Sequence, residues 1–307
     1  MVRRPAFGLV VVAALLALPL LAACGQSPAA ASGGSPGGVA VVASTDVWGD
    51  VVAAVGGSHV RVTSVITDPS TDPHSYEATP RTQLALSRAD VVVENGGGYD
   101  DFMGRLLSAA HAKAAVVDAV DVSGRAAAAR AAGTDLNEHV WYDVPSVARV
   151  ADRVASALGA ADPADAGAFR ANAAAFSDRL DALIAREQAA RARTQGAGVV
   201  VTEPVPLYLL SALGAVDRTP RAFSAAVEAG DDVSPSVVQQ TTSLFSSGAV
   251  KALICNEQTS SAQTALVQKA ATAAHVPVLQ VTETLPTGMS YLEWMQHNLD
   301  AISAALS

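Results

Sequence analysis

Short runs of branched apolar residues alternate along this chain with longer stretches whose apolar positions recur every three or four residues. Residues 40–44, 60–66, 91–94 and 115–118 are four such runs. They are brief and continuous enough to be strands buried on both faces, and the segments between them carry helical spacing. That alternation predicts parallel sheets covered by helices. Thr79 followed by Pro80 reads as a cap with proline at the first helical position, which predicts a helix over 81–88.

The pattern then changes. Residues 144–193 are almost purely helix-forming, interrupted at 161–163 by Ala-Asp-Pro. The piece over 164–193 fits one helix about 45 Å long at 1.5 Å per residue. Phe169, Phe176, Leu180 and Leu183 form one stripe along it, with arginines and aspartates elsewhere. After Gly196 the alternation resumes with strands at 199–202, 250–255 and 276–282 and helices near Leu207, Val237 and Ala265. The predicted fold is α/β: two lobes, 39–162 and 196–307, each a parallel sheet flanked by helices and joined by a long rigid helix over 163–195. The alanine-rich stretch 123–133 reads as a surface connection or short helix.

The first residues belong to no fold. Arg3 and Arg4, an apolar run over 6–20 and the sequence Leu21-Ala22-Ala23-Cys24 read as an export signal over 1–24. Its end resembles the bacterial lipobox, which implies that Cys24 carries lipid. Residues 25–38 are glycine, serine, proline and alanine with almost no bulky side chain, a flexible tether. Roughly 270 residues remain for the folded part.

The formal charge is −9, and removal of the two leader arginines takes it two further negative. No basic block exists, so nucleic acid is excluded as a partner, and attachment to anionic lipid must come from the acyl group. With Cys24 as anchor, Cys255 is left alone at the end of an apolar run and reads as a small buried hydrophobe.

Against this background four residues stand out: His74, His139, Glu203 and Glu283, each closing or following an apolar stretch in a chain with 6 histidines. Imidazole and carboxylate together are a divalent-metal donor set. Both glutamates end a similar local phrase, Val199 to Thr202 running into Glu203 and Val278 to Thr282 running into Glu283. Loops leaving the carboxyl ends of parallel strands line the ligand crevice of open sheets. Pro69 and Pro73 stiffen the loop before His74. Glu257 and Asp46 also follow strand ends and compete for the place of Glu283. His59, His111, His275 and His297 carry no assigned role, and Tyr76, Trp141 and Trp294 read as packing residues.

Asp72-Pro73-His74-Ser75-Tyr76-Glu77, Asn95-Gly96, His139-Val140-Trp141, Thr202-Glu203 before Tyr208, and Ser290-Tyr291 through Asn298-Leu299 occur in an order and spacing that is similar to one family. The chain resembles the metal-binding lipoproteins of zinc and manganese ABC importers, the ZnuA-like or cluster 9 (cluster A-I) solute-binding proteins. That resemblance implies that His74, His139, Glu203 and Glu283 surround one Zn2+ or Mn2+ between the lobes. It further implies a monomer, anchored outside the cell membrane through acylated Cys24, that delivers metal to an ABC permease and catalyses nothing. Glu203 stands where zinc members carry a third histidine, and Glu283 where aspartate is usual. No histidine-rich loop is present over 123–138. A zinc-dependent hydrolase is the first alternative, although no His-Glu-x-x-His helix or nucleophile elbow occurs. A surface adhesin or organic-ligand receptor on the same fold is the second.

Overall fold

A computed structural model of the chain describes residues 37–71, 76, 77, 79–110 and 112–307. The export signal, Cys24, most of the tether, His74 and His111 lie outside the described residues.

The first half runs β1 Val39–Thr45, α1 Asp46–Gly56, β2 Val60–Ile66, α2 Pro80–Leu86, β3 Val91–Glu94, α3 Phe102–Ala110, β4 Ala115–Asp118, α4 Ala119–Ser123 and α5 Arg125–Ala132. Two helices follow, α6 Val144–Ala161 and α7 Ala166–Thr194. The second half runs β5 Gly198–Val201, α8 Leu207–Ala212, β6 Val216–Asp217, α9 Arg221–Glu228, α10 Pro235–Ser246, β7 Ala252–Asn256, α11 Ala262–Ala273, β8 Val278–Val281 and α12 Tyr291–Leu306.

All strand pairs are parallel, and the strand orders are β2-β1-β3-β4 and β6-β5-β7-β8. Each half therefore uses the same 2-1-3-4 plan, and the strands are parallel, as the alternation predicts. In both sheets the chain turns one way from the first strand and the other way from the third. The crevice of each sheet thus opens beyond the carboxyl ends of β1 and β3, or of β5 and β7.

The strands form because their side chains are apolar on both faces: Val91, Val92 and Val93, like Val199, Val200 and Val201, are completely buried. Helix starts follow their local chemistry. The Thr79 side chain accepts from Thr82 N–H ahead of Pro80, and Ser290 forms a reciprocal capping box with Glu293. The stretch expected as a connection or short helix is the short helix α5.

Helix α7 has 29 residues and is about 43 Å long. It buries Phe169, Phe176, Leu180 and Leu183, the stripe visible in the sequence. One continuous apolar cluster includes Val41 and Trp48 of the first half, Phe176 of α7, Val199 and Ile254 of the second sheet, and Trp294 of α12. The two sheets therefore share a core across α7. Among the described residues no helix is long and apolar enough to cross a membrane.

Glu187 interrupts that apolar stripe. It is only 4% exposed, has no hydrogen-bonding or ionic partner among the described residues, and its carboxyl is pushed up to about 7, by burial first and then by the field of Asp143. A folded-state value above the unfolded one means that stability is retained below about pH 4.5 and lost as pH rises through 7. Glu187→Gln is expected to stabilise the protein by on the order of 2 kcal/mol at pH 8 and to change little at pH 4.5. Urea unfolding at the two pH values measures this, and equal effects at both would refute the buried-charge account.

Candidate metal centre

Three of the four sequence-predicted donors meet at one buried place. Glu203 follows β5 and Glu283 follows β8. His139 arrives on the loop between α5 and α6. Their exposures are 3%, 1% and 1%. His139 Nε2 lies 3.6 Å from Glu283 Oε2, an ionic contact longer than a hydrogen bond.

Asn137 fixes the histidine. Its Oδ1 accepts both the His139 backbone N–H at 3.0 Å and a contact from His139 Nδ1 at 2.7 Å. A backbone N–H can only donate, which settles the amide orientation and puts the imidazole proton on Nδ1. The Nε2 lone pair is then left for the side where Glu283 stands. The amide nitrogen of Asn137 donates to Pro204 O at 2.9 Å, beside Glu203 in the other half. Tyr99 and Trp141 enclose the ring edge-on, with centroids at 6.0 and 5.1 Å.

Asn256 holds the carboxylates. Its Oδ1 accepts Gln258 N–H at 3.2 Å, so its NH2 faces the site and donates to Glu283 Oε1 at 2.7 Å and to Glu203 Oε2. Gln258 receives Glu283 N–H on Oε1 at 2.6 Å and donates to Thr71 O at 2.7 Å, three residues before His74. His74 itself lies outside the described residues.

The competing acids fall elsewhere. Glu257 is exposed, because the residue after Asn256 points to the other side of the strand path. Asp46 accepts Leu285 N–H at 3.1 Å, supporting the Glu283 loop from α1 without joining the donor cluster. Its carboxyl is raised to about 6, chiefly by burial. Asp50, one turn later, accepts Tyr291 N–H at 2.9 Å at the start of α12. Cys255 is fully buried, with its thiol pushed up to about 12 by burial, and acts as a small hydrophobe. Trp141 and Trp294 are buried packing residues.

Asn95-Gly96 proves to be a support. Asn95 donates to Glu138 O at 3.0 Å and accepts Trp48 Nε1–H at 3.2 Å, tying the His139 loop to β3. Gly96 has φ of 76°, and a Cβ there would lie 2.2 Å from the Asp118 carboxylate, so only glycine fits. Further hydrogen bonds join the donor loops across the halves: Tyr142 OH to Thr282 O at 2.9 Å, Tyr208 OH to Asn137 O at 2.7 Å and Tyr291 OH to Trp141 O at 2.7 Å.

Electrostatics at this point favour an added positive charge. Burial opposes protonation of His139, but the adjacent Glu283 carboxylate, with Glu138 and Glu228 behind it, outweighs burial and holds its pKa above the ordinary value. The Glu203 carboxyl is raised by burial, against the pull of Thr259 and Asn256. Two acids absent from the sequence reading also converge here. Glu138, His139 and Glu228 each place a donor atom within 4.8 Å of the others. Neither glutamate carries a periodic signal, since one is a loop residue and the other ends a helix.

The chain is 31% identical over 175 residues to the manganese-binding lipoprotein MntA of Bacillus subtilis (strain 168), an overlap of 56% of this chain and 55% of the relative. The chain thus spans about half the length of that relative. With the manganese ABC transporter substrate-binding lipoprotein scaA of Streptococcus gordonii it shares 24% identity over 310 residues, covering 95% of this chain and 96% of the relative. The solved periplasmic zinc binding protein TroA of Treponema pallidum has the same fold, with a TM-score of 0.74 at 22% identity, covering 88% of this chain and all of that one. Residues 41–305, which include both sheets and every donor loop, match the family described as zinc-uptake complex component A, periplasmic, and the chain therefore belongs to the ZnuA family.

Proposed function

We propose that this protein captures a divalent transition metal, zinc or manganese, between its two halves and delivers it to an ABC permease. The observation that carries this reading is a buried, linked set of donors: His139 beside Glu283, and Glu283 joined to Glu203 through Asn256, which bridges the carboxylates. His74 completes the proposed set. Relatives named as manganese-binding lipoproteins and a family named for zinc uptake support the same cargo class. Two carboxylates with two imidazoles make a harder set than three imidazoles with one carboxylate, which moves preference toward manganese.

The protein works outside the membrane, held by lipid on Cys24, as a monomer that carries cargo without transforming it. The name "lipoprotein" borne by its relatives supports the anchor. Hydrogen bonds already join the donor loops, and the core runs through both halves. Loading and release therefore need only small loop movements.

Metal binding to the folded state alone must raise its stability. At a thousand-fold excess of metal over Kd the gain is about 4 kcal/mol, on the order of 10 °C in Tm. Calorimetry of metal-stripped protein with added Mn2+, Zn2+ or Fe2+ tests this, and no rise with any of them refutes the function. The gain is expected to vanish as pH falls from about 8 to 5.5, because protons compete for an imidazole whose pKa stands above its usual value of about 6.5.

A further inference from the structure

Two carboxylates outside the proposed ligand set face it from opposite halves. Glu138 immediately precedes His139, and Glu228 ends α9. With His139 they place donor atoms within 4.8 Å of one another. The three differ in depth: Glu138 and Glu228 are partly exposed, whereas His139 is sealed at 1%.

Two observations favour a cation here. Oε1 of Glu228 is buried and takes no hydrogen bond among the described residues. Deeper in, Glu203 is 3% exposed, and its Oε1 also has no hydrogen bond of ordinary geometry. Glu228 is within reach of the charges of Glu138 and His139 and also of Glu203 and Glu283. It also stands at the carboxyl end of a helix, where the backbone dipole favours a cation.

We propose that Glu138 and Glu228, with His139 as the shared member, form an outer station that first receives the divalent cation and passes it inward to Glu203 and Glu283. This rests on the metal-capture reading above. The cation would exchange carboxylate oxygens one at a time while His139 stays bound, so the ion is never stripped of all its protein donors. Such a station also focuses the field of the cleft, an effect that speeds association by about 10- to 1,000-fold in charged clefts.

The test is stopped-flow association of Mn2+ with the full chain, comparing wild type with Glu228→Gln, Glu138→Gln and the double variant. Circular dichroism checks that each is folded. The double variant is expected to associate about 10-fold more slowly at low salt, with the difference shrinking as salt screens the cleft. Association at the wild-type rate, or complete loss of binding in a folded single variant, overturns the station; the latter makes that residue an indispensable ligand. Wild type that binds neither Mn2+ nor Zn2+ overturns the capture reading itself. Wild type that binds normally, with Glu203→Gln weakened and Glu228→Gln as fast as wild type, overturns only the station.

Discussion

His139→Ala is expected to lower affinity for Mn2+ and Zn2+ by more than about 100-fold. Removing a direct donor opens the coordination sphere, a larger loss than the 10- to 100-fold typical of supporting residues. His74→Ala should act alike. His297, exposed on α12, is the matched control, and its alanine variant should bind as wild type does. Competition titration against a chelator of known affinity provides the measurement, and retention of wild-type affinity in both His74→Ala and His139→Ala ends the site assignment. The apo protein should tolerate His139→Ala, since the loop keeps its ties through Asn95, Tyr208 and Tyr291.

Asn256→Leu should produce the next largest loss, about 10- to 100-fold. The asparagine is outside the proposed ligand set, yet its single NH2 holds one oxygen of each carboxylate. Without it two buried acids face each other uncompensated, and at least one takes up a proton. Metal must then displace that proton, so the loss should be greater at pH 6.5 than at pH 8. A loss of equal size at both values would assign Asn256 to packing alone.

Much of this was legible in the sequence because apolar runs and helical spacing are local signals. The segments 60–66, 91–94 and 115–118 are β2, β3 and β4, and the stretch expected at 164–193 is α7 at Ala166–Thr194. Glu203 and Glu283 could be picked out because a Val-Thr pair closing an apolar run leads into each. Glu257 was a natural competitor because it also follows a strand, but position says nothing of side-chain direction. One residue of phase places Asn256 inward and Glu257 in solvent. The supports Asn137, Asn256 and Gln258 were not legible, since their roles depend on contacts across 67, 53, 27 and 187 positions of sequence. Glu138 and Glu228 were missed for the same reason.

The return of α12 to the first half has a temporal consequence. The Glu283 loop and the start of α12 are gripped by Asp46 and Asp50, acids from the first helix of the fold. A chain emerging from its amino terminus therefore holds its earliest and latest folded pieces apart until nearly all of it has been made. The loop that carries Glu283 gains these two anchors only at that moment, so a chain cut short before α12 lacks the grip on one of its proposed donors.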